Sequence, residues 1–353
     1  MEESQHLEPS KDLDAAADVP AVLDPEAEEQ AAEMLRRGTS PHTLRARSAD
    51  TRYFWTWVEV AHGLEEHYPV TGDLLVSFIT QHLADGLPEG LEDEMVRRRA
   101  KRRGRLSVAT VQRRVSTLSI QHRVLGLEDD NPAKDPRVIE LLKAARRIRA
   151  KEGGQAQVDA ATLPVLERLL LTCDDDLRGV RDRALLLVGF AAGGRRRSEL
   201  AALRIEDLEV SEDSGELAYV AMIRRSKTDQ EGKGLAVAIA GRAAAALRTW
   251  LERSGITAGP IFRGILKDGL SIRDHGLSGR SLERIIKRRA EDAGVEGRIT
   301  PHSLRAGFTT TAFQRGHSLP DIMSATGHKA VPSVMRYGRG ATALKNPTAR
   351  IAG

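Results

Sequence analysis

Apolar residues recur at helical spacing through most of this chain. The first patterned stretch runs from Asp24 to about Arg37, with Asp24 placed to cap, Pro25 suited to a first turn and Gly38 as a stop. Ser40-Pro41 opens a second helix, with Leu44, Tyr53, Phe54, Trp55, Trp57 and Val58 among its apolar positions. A third begins near Asp73 and carries Leu74, Leu75, Phe78, Ile79 and Leu83. A fourth covers Ser107 to about Leu125 and a fifth Pro136 to about Ala150. Five helices within 24–150 predict a compact helical domain. Residues 151–157 are polar and include Gly153-Gly154, which reads as a linker. In 158–353 the pattern predicts helices at about 161–172 and 179–192, then strands at 217–225 and 235–239 joined by a polar turn. Further helices follow at about 241–254, 279–293, 301–315, 318–325 and 331–337. The fold class is therefore mainly α with a small antiparallel β-sheet.

Composition changes this picture at the amino terminus. Residues 1–23 are acidic, aperiodic and rich in Ala and Pro, the signature of a disordered tail; residues 1–30 hold ten acids against one base, Lys11. The overall charge of +4 thus conceals a basic remainder, with arginine clusters at 97–105, 113–114, 146–149, 195–197 and 287–289. Dispersed basic clusters on a folded body point to a polyanion partner, nucleic acid before others. Few aromatics (4%) argue against single-strand stacking platforms. One cysteine, Cys173, excludes an internal disulfide framework and a multi-cysteine metal site. The absence of a bilayer-length apolar run and of a signal-peptide pattern gives the expectation of a soluble, cytoplasmic protein without membrane contact.

The chemistry gathers near the carboxy terminus. Pro301-His302-Ser303-Leu304-Arg305 puts an imidazole and a guanidinium on one helix face. His328 follows Arg305 by 23 positions and Tyr337 follows His328 by nine. Moving a DNA strand by transesterification needs a hydroxyl to attack phosphorus, cations to stabilise the phosphorane, and a proton for the leaving 5′-oxygen. Arg305 and one arginine of 195–197 suit the non-bridging oxygens, because guanidinium offers forked donors and stays charged. His302 and His328 can share charge stabilisation and proton transfer, Lys227 can reach a leaving group, and Tyr337 can attack. Taken singly, each has an ordinary structural reading.

Together, in order, they resemble the tyrosine recombinase (phage integrase) family over roughly 24–340. Gly194-Arg195-Arg196-Arg197-Ser198-Glu199-Leu200 is similar to its first-arginine box, and the Ser-Glu-Leu register assigns the catalytic role to Arg196 and the supporting acid to Glu199. Arg225-Ser226-Lys227-Thr228 resembles the hairpin that carries the general-acid lysine. His302 and Arg305 match the His-x-x-Arg box, Gly327-His328 the His/Trp position, and Tyr337 the nucleophile. Detail in 318–337 and the five-helix module look close to Cre-like members. Two departures stand out: Arg195 and Arg197 replace the usual apolar neighbours of the first arginine, and only 16 residues follow Tyr337.

The resemblance implies a helical core-binding domain and a catalytic domain forming a C-shaped clamp on double-stranded DNA with an inverted-repeat site. It further implies a homotetramer on two duplexes, a 3′-phosphotyrosine intermediate and a Holliday junction, with no metal, ATP or other cofactor. DNA contacts are expected from His42, Arg45, Arg47, Arg113 and Arg114 in the first domain, and from Arg280, Arg284, Lys287 and Arg288 in the second. Two other readings remain at this point: a DNA-binding structural or regulatory protein of the same fold without strand exchange, and a relaxing enzyme like the type IB topoisomerases.

Overall fold

The computed structural model describes residues 25–84, 86–100, 103–152, 159–224 and 234–342. The acidic tail, most of the linker and the Lys227 turn lie outside these residues. The chain divides between Ala156 and Gln157 into two compact units.

The first unit contains α1 (Pro25–Gly38), α2 (Pro41–His62), α3 (Gly72–Leu83), α4 (Glu89–Arg97), α5 (Val108–Val124) and α6 (Pro136–Lys151). Local chemistry sets their ends. Ser40 accepts the Thr43 N–H ahead of Pro41, Ser107 accepts that of Thr110, and Gly63 closes α2 in the left-handed region. The aromatic run of α2 forms the core: Tyr53, Phe54, Trp57 and Val58 pack with Leu75, Phe78, Ile79, Met95, Val115 and Leu118. The helix α4 was not expected, because its nine residues are mostly charged; the buried Met95 pins it to the core.

The second unit begins with α7 (Leu163–Leu171), α8 (Leu177–Ala191) and α9 (Arg197–Ala202). A three-stranded antiparallel sheet follows, β1 (Leu208–Asp213), β2 (Glu216–Ile223) and β3 (Leu235–Ile239), with β2 central. Next come α10 (Arg242–Ser254), a small hairpin of β4 (Arg263–Ile265) and β5 (Ile272–Gly276), and α11 (Gly279–Asp292). The unit ends with α12 (Pro301–Gln314), α13 (Leu319–Thr326) and α14 (Val331–Thr342). Its core surrounds α8, whose Ala184, Leu185, Leu186 and Val188 are fully covered, with Leu247, Trp250, Ile286 and Leu304 around them. Asp182 of α8, wholly buried, accepts from Arg181 and from Arg289 of α11 (2.6 and 2.8 Å), fixing α11 against the core.

The pattern-based reading located the long helices, the mixed fold class and the β2–β3 pair. It did not foresee α9, β1 or the β4–β5 hairpin, which are short and carry little periodicity. It also ended the last helix at residue 337, whereas α14 continues to Thr342. Among the described residues no helix is long and apolar enough to cross a membrane.

Candidate active site

Three features of the second unit bring the candidate side chains together. The first is the turn after α8. Gly193 and Gly194 both have positive φ (82° and 65°), and a Cβ at Gly194 would sit 2.3 Å from the Cα of Arg305. Glycine is needed there both for conformation and for room. The chain then enters α9 at Arg196. The buried Glu199 accepts twice from Arg196, from Nη1 at 2.6 Å and from the backbone N–H at 3.2 Å. The guanidinium of Arg196 is thereby aimed by a carboxylate that its own backbone holds.

The second feature is the start of α12. Thr300 precedes the helix and Pro301 occupies its first turn. His302 and Arg305 then fall on neighbouring positions of one face. Arg305 is only 2% exposed. It donates from Nη1 to the Gly194 carbonyl (3.1 Å), from Nη2 to that of Thr326 (2.6 Å), and from Nε to His328 Nε2 (3.3 Å). Burial and the nearby Arg196 and Arg195 pull its pKa down to about 10, so it remains charged at neutral pH.

The third is the pair α13 and α14. The left-handed Gly327 ends α13 and turns the chain so that His328 faces Arg305. The Thr326 hydroxyl donates to the Ile322 carbonyl (2.6 Å), so it accepts from Nδ1–H of His328 (2.6 Å). That leaves Nε2 as the acceptor facing Arg305. Burial, then Arg305 and Arg196, push the His328 pKa to about 4, keeping the ring neutral. Tyr337 lies in α14, where its phenol oxygen is 2.9 Å from His302 Nε2. Its ring lies near both imidazoles, with centroids 6.2 Å from His302 and 6.3 Å from His328. Burial, then Arg305, Arg336 and Arg196, lower the pKa of His302 as well.

Arg196, Glu199, His302, Arg305, His328 and Tyr337 thus belong to one constellation; Lys227 lies outside the described residues. The sequence reading missed two contributors. Thr326 sets the His328 tautomer and Arg195 is a buried member of the cluster. A threonine two residues before a histidine was a weak signal; Arg195 had been grouped with the basic surface. Among the described residues no group of three or more His, Cys, Asp or Glu side chains is arranged to hold a metal ion.

The expected DNA-contact residues separate into two kinds. On α2, His42 and Arg45 are exposed and Arg47 is half-buried. On α11, Arg280, Arg284, Lys287 and Arg288 are exposed opposite the buried Leu282 and Ile286. Arg113 is exposed and ion-paired with Asp50. Arg114 is placed differently from the others. Its side chain is 10% exposed, stacks 3.2 Å over the Tyr53 ring and donates to buried Asp50, so the helix core occupies it.

Comparison with known proteins gives the family of the chain. The profile of the Phage integrase family matches residues 162–343. The chain is 33% identical over 312 residues to an integrase/recombinase XerD homolog of Selenomonas ruminantium, covering 86% of this chain and 83% of that protein. It is 25% identical to tyrosine recombinase XerD of Listeria monocytogenes serotype 4b (strain F2365), covering 86% and 90%. The fold is similar to that of a lambda integrase dimer bound to a COC′ core site (16% identity, TM-score 0.53, 89% and 94% covered). It is also similar to XerH site-specific recombinase bound to palindromic difH substrate (15% identity, TM-score 0.54, 91% and 84% covered). With a family match over residues 162–343 and a 33% identical relative aligned through both units, this chain belongs to the phage integrase family of tyrosine recombinases.

Proposed function

We propose that this protein is a site-specific DNA recombinase that cuts and rejoins strands through a phosphotyrosine at Tyr337. The observation that carries the reading is the contact between the Tyr337 hydroxyl and His302 Nε2, in a cluster that also holds Arg196, Arg305 and His328. The neutral His302 ring accepts the phenol proton as the tyrosine oxygen bonds to phosphorus. Arg196 and Arg305 bind the non-bridging oxygens and stabilise the added negative charge of the phosphorane, with His328 as a further polar contact. The bond to the 5′-oxygen then breaks, and Lys227 supplies its proton. A 5′-hydroxyl from a second duplex reverses these steps: it attacks the 3′-phosphotyrosine, yields its proton, and releases Tyr337.

Each step is a proton transfer or a phosphoryl exchange, so bond energy is conserved and neither ATP nor a metal is required. Two rounds of exchange pass through a Holliday junction, which calls for a homotetramer on two duplexes carrying inverted-repeat sites. The solved relatives bound to a core site and to difH support DNA as the partner. The test is a nicked half-site duplex incubated with protein in EDTA. A denaturant-resistant protein–DNA adduct is expected, and Tyr337→Phe abolishes it while keeping DNA affinity. An adduct formed by the phenylalanine variant would refute the assignment.

A further inference from the structure

Arg195 occupies a place where a charge is costly. Its side chain is 2% exposed, its Nε has no hydrogen-bond partner, and burial lowers its pKa. An apolar side chain of similar size would fill the same space without that desolvation cost. The guanidinium is too deeply covered to meet DNA from solvent. What it touches accounts for its presence.

Its Nη2 donates to the carbonyl of Ala325 and lies 3.5 Å from that of Gly193; Nη1 is 3.8 Å from Oε2 of Glu199. Ala325 and Thr326 are the last two residues of α13, whose terminal carbonyls have no partner within the helix. Arg305 takes the Thr326 carbonyl and Arg195 takes that of Ala325, so α13 ends on two cations, the favourable sign for a helix C-terminus. His328 follows this end by two residues. At its other reach, Arg195 borders the carboxylate that aims Arg196, and the turn whose Gly194 carbonyl holds Arg305. The fit is close: a Cβ on Gly193 would lie 2.0 Å from the Ala325 oxygen and 2.7 Å from Arg195 Nη2.

We infer that Arg195 is a positioning residue for strand cleavage, a buried fork that locks the mounts of Arg196, Arg305 and His328 into one frame. The inference rests on the recombinase reading above and adds to it a role for a side chain that does not touch the phosphate. Its charge also contributes to the positive field that lowers the pKa of Arg305 and of His328.

The experiment compares wild type, Arg195→Met and Arg195→Lys by three readouts on the full chain: adduct rate on the nicked half-site, Kd for the same DNA, and melting temperature. Loosening the frame slows Arg195→Met about 10- to 100-fold, as small misplacements of catalytic groups do, with Kd and melting temperature held. Arg195→Lys, which reaches one carbonyl but cannot fork, falls between the two. Wild-type rate in either variant overturns the role. So does a rate loss that tracks falling melting temperature and DNA affinity and that lysine does not relieve, because that is packing alone. If Arg195→Met does not fold, Arg195→Lys decides: an intermediate rate at unchanged Kd and melting temperature sustains the role, and any other result overturns it. A wild-type protein that forms no adduct is a separate outcome, refuting the recombinase reading and this role with it.

Discussion

The phenol oxygen of Tyr337 sits 2.9 Å from Nε2 of His302, although 35 residues separate them in sequence. A hydroxyl there can hand its proton to the imidazole only while the ring is neutral. Burial and three surrounding arginines lower the His302 pKa from its ordinary 6.5, so the acceptor form prevails at neutral pH. As pH falls through the depressed value the ring takes a proton from solvent and cannot accept the phenol's. The single-turnover adduct rate should therefore be flat near neutrality and decline only below pH 6.5. His302→Gln should remove that acid limb and cost roughly 10²- to 10⁴-fold in rate, the usual worth of general base catalysis. Rates on the nicked half-site between pH 4.5 and 8 check this. An acid limb above the ordinary histidine value would dismiss His302 as the base.

Glu199 is the only acid among Arg195, Arg196 and Arg305 in the described cluster, and it is 3% exposed. Glu199→Gln keeps the shape but leaves these guanidiniums without a compensating charge. Breaking one side of a buried ion pair costs about 3–5 kcal/mol. Arg196 remains 28% exposed, so solvent screening puts the expected loss toward the lower end of that range. Urea unfolding measures it, and adduct formation should slow as well because Arg196 loses the charge assistance of its hydrogen bonds and one of the two acceptor oxygens that aim it. An unchanged unfolding midpoint would show that the carboxylate does not hold the cluster.

How much of this was legible in the sequence differs by element. The helices α2, α5 and α8 declared themselves because they are long and rich in apolar residues, such as the run Tyr53 to Val58, which are buried accordingly. Helices α4 and α9 did not, since a nine-residue charged helix and a six-residue one depend on neighbours for their stability. The site was readable in its residue types, because His302, Arg305, His328 and Tyr337 stand in a specific order. Its internal wiring was not. Nothing in Arg195-Arg196-Arg197 says that the first is buried, the second half-buried and the third exposed with Glu283 as partner. That sorting depends on the Gly193-Gly194 turn and on what α12 and α13 place against it. The burial of Arg114 was hidden for the same reason: a basic residue at an amphipathic position reads as surface until a buried Asp50 is known to face it.

Gly194 offers a separate test of that turn. Alanine there would have to adopt φ 65° and put its Cβ 2.3 Å from the Cα of Arg305. Left-handed backbone costs a non-glycine residue about 1–2 kcal/mol, and overpacking adds roughly 1–3 kcal/mol. Gly194→Ala should therefore lower stability by a few kcal/mol and slow adduct formation further by displacing Arg305. Gly215→Ala serves as the control: its φ is 82° but nothing lies within 4 Å of its Cβ, so only the backbone cost applies. Equal losses in the two variants would mean that the close approach to Arg305 has no energetic consequence.

Arg114 and Arg284 make opposite predictions although both were expected to contact DNA. Arg284 is exposed on α11, on the face that also carries Arg280 and Lys287, and a phosphate contact there releases counterions on binding. Removing one such contact by Arg284→Ala should reduce the slope of log K against log salt by about 1, and weaken binding on specific and random duplexes alike. Its melting temperature should hold, because an exposed side chain contributes little to folding. Arg114→Ala should do the reverse. It strips the cation from the Tyr53 ring and leaves Asp50 with only Arg113 and Thr117, so stability falls. Its salt slope should match wild type. Titrations at several salt concentrations, paired with melting curves, separate the two. If Arg114→Ala lowers the slope and spares the melting temperature, its buried pairing with Asp50 gives way when DNA binds.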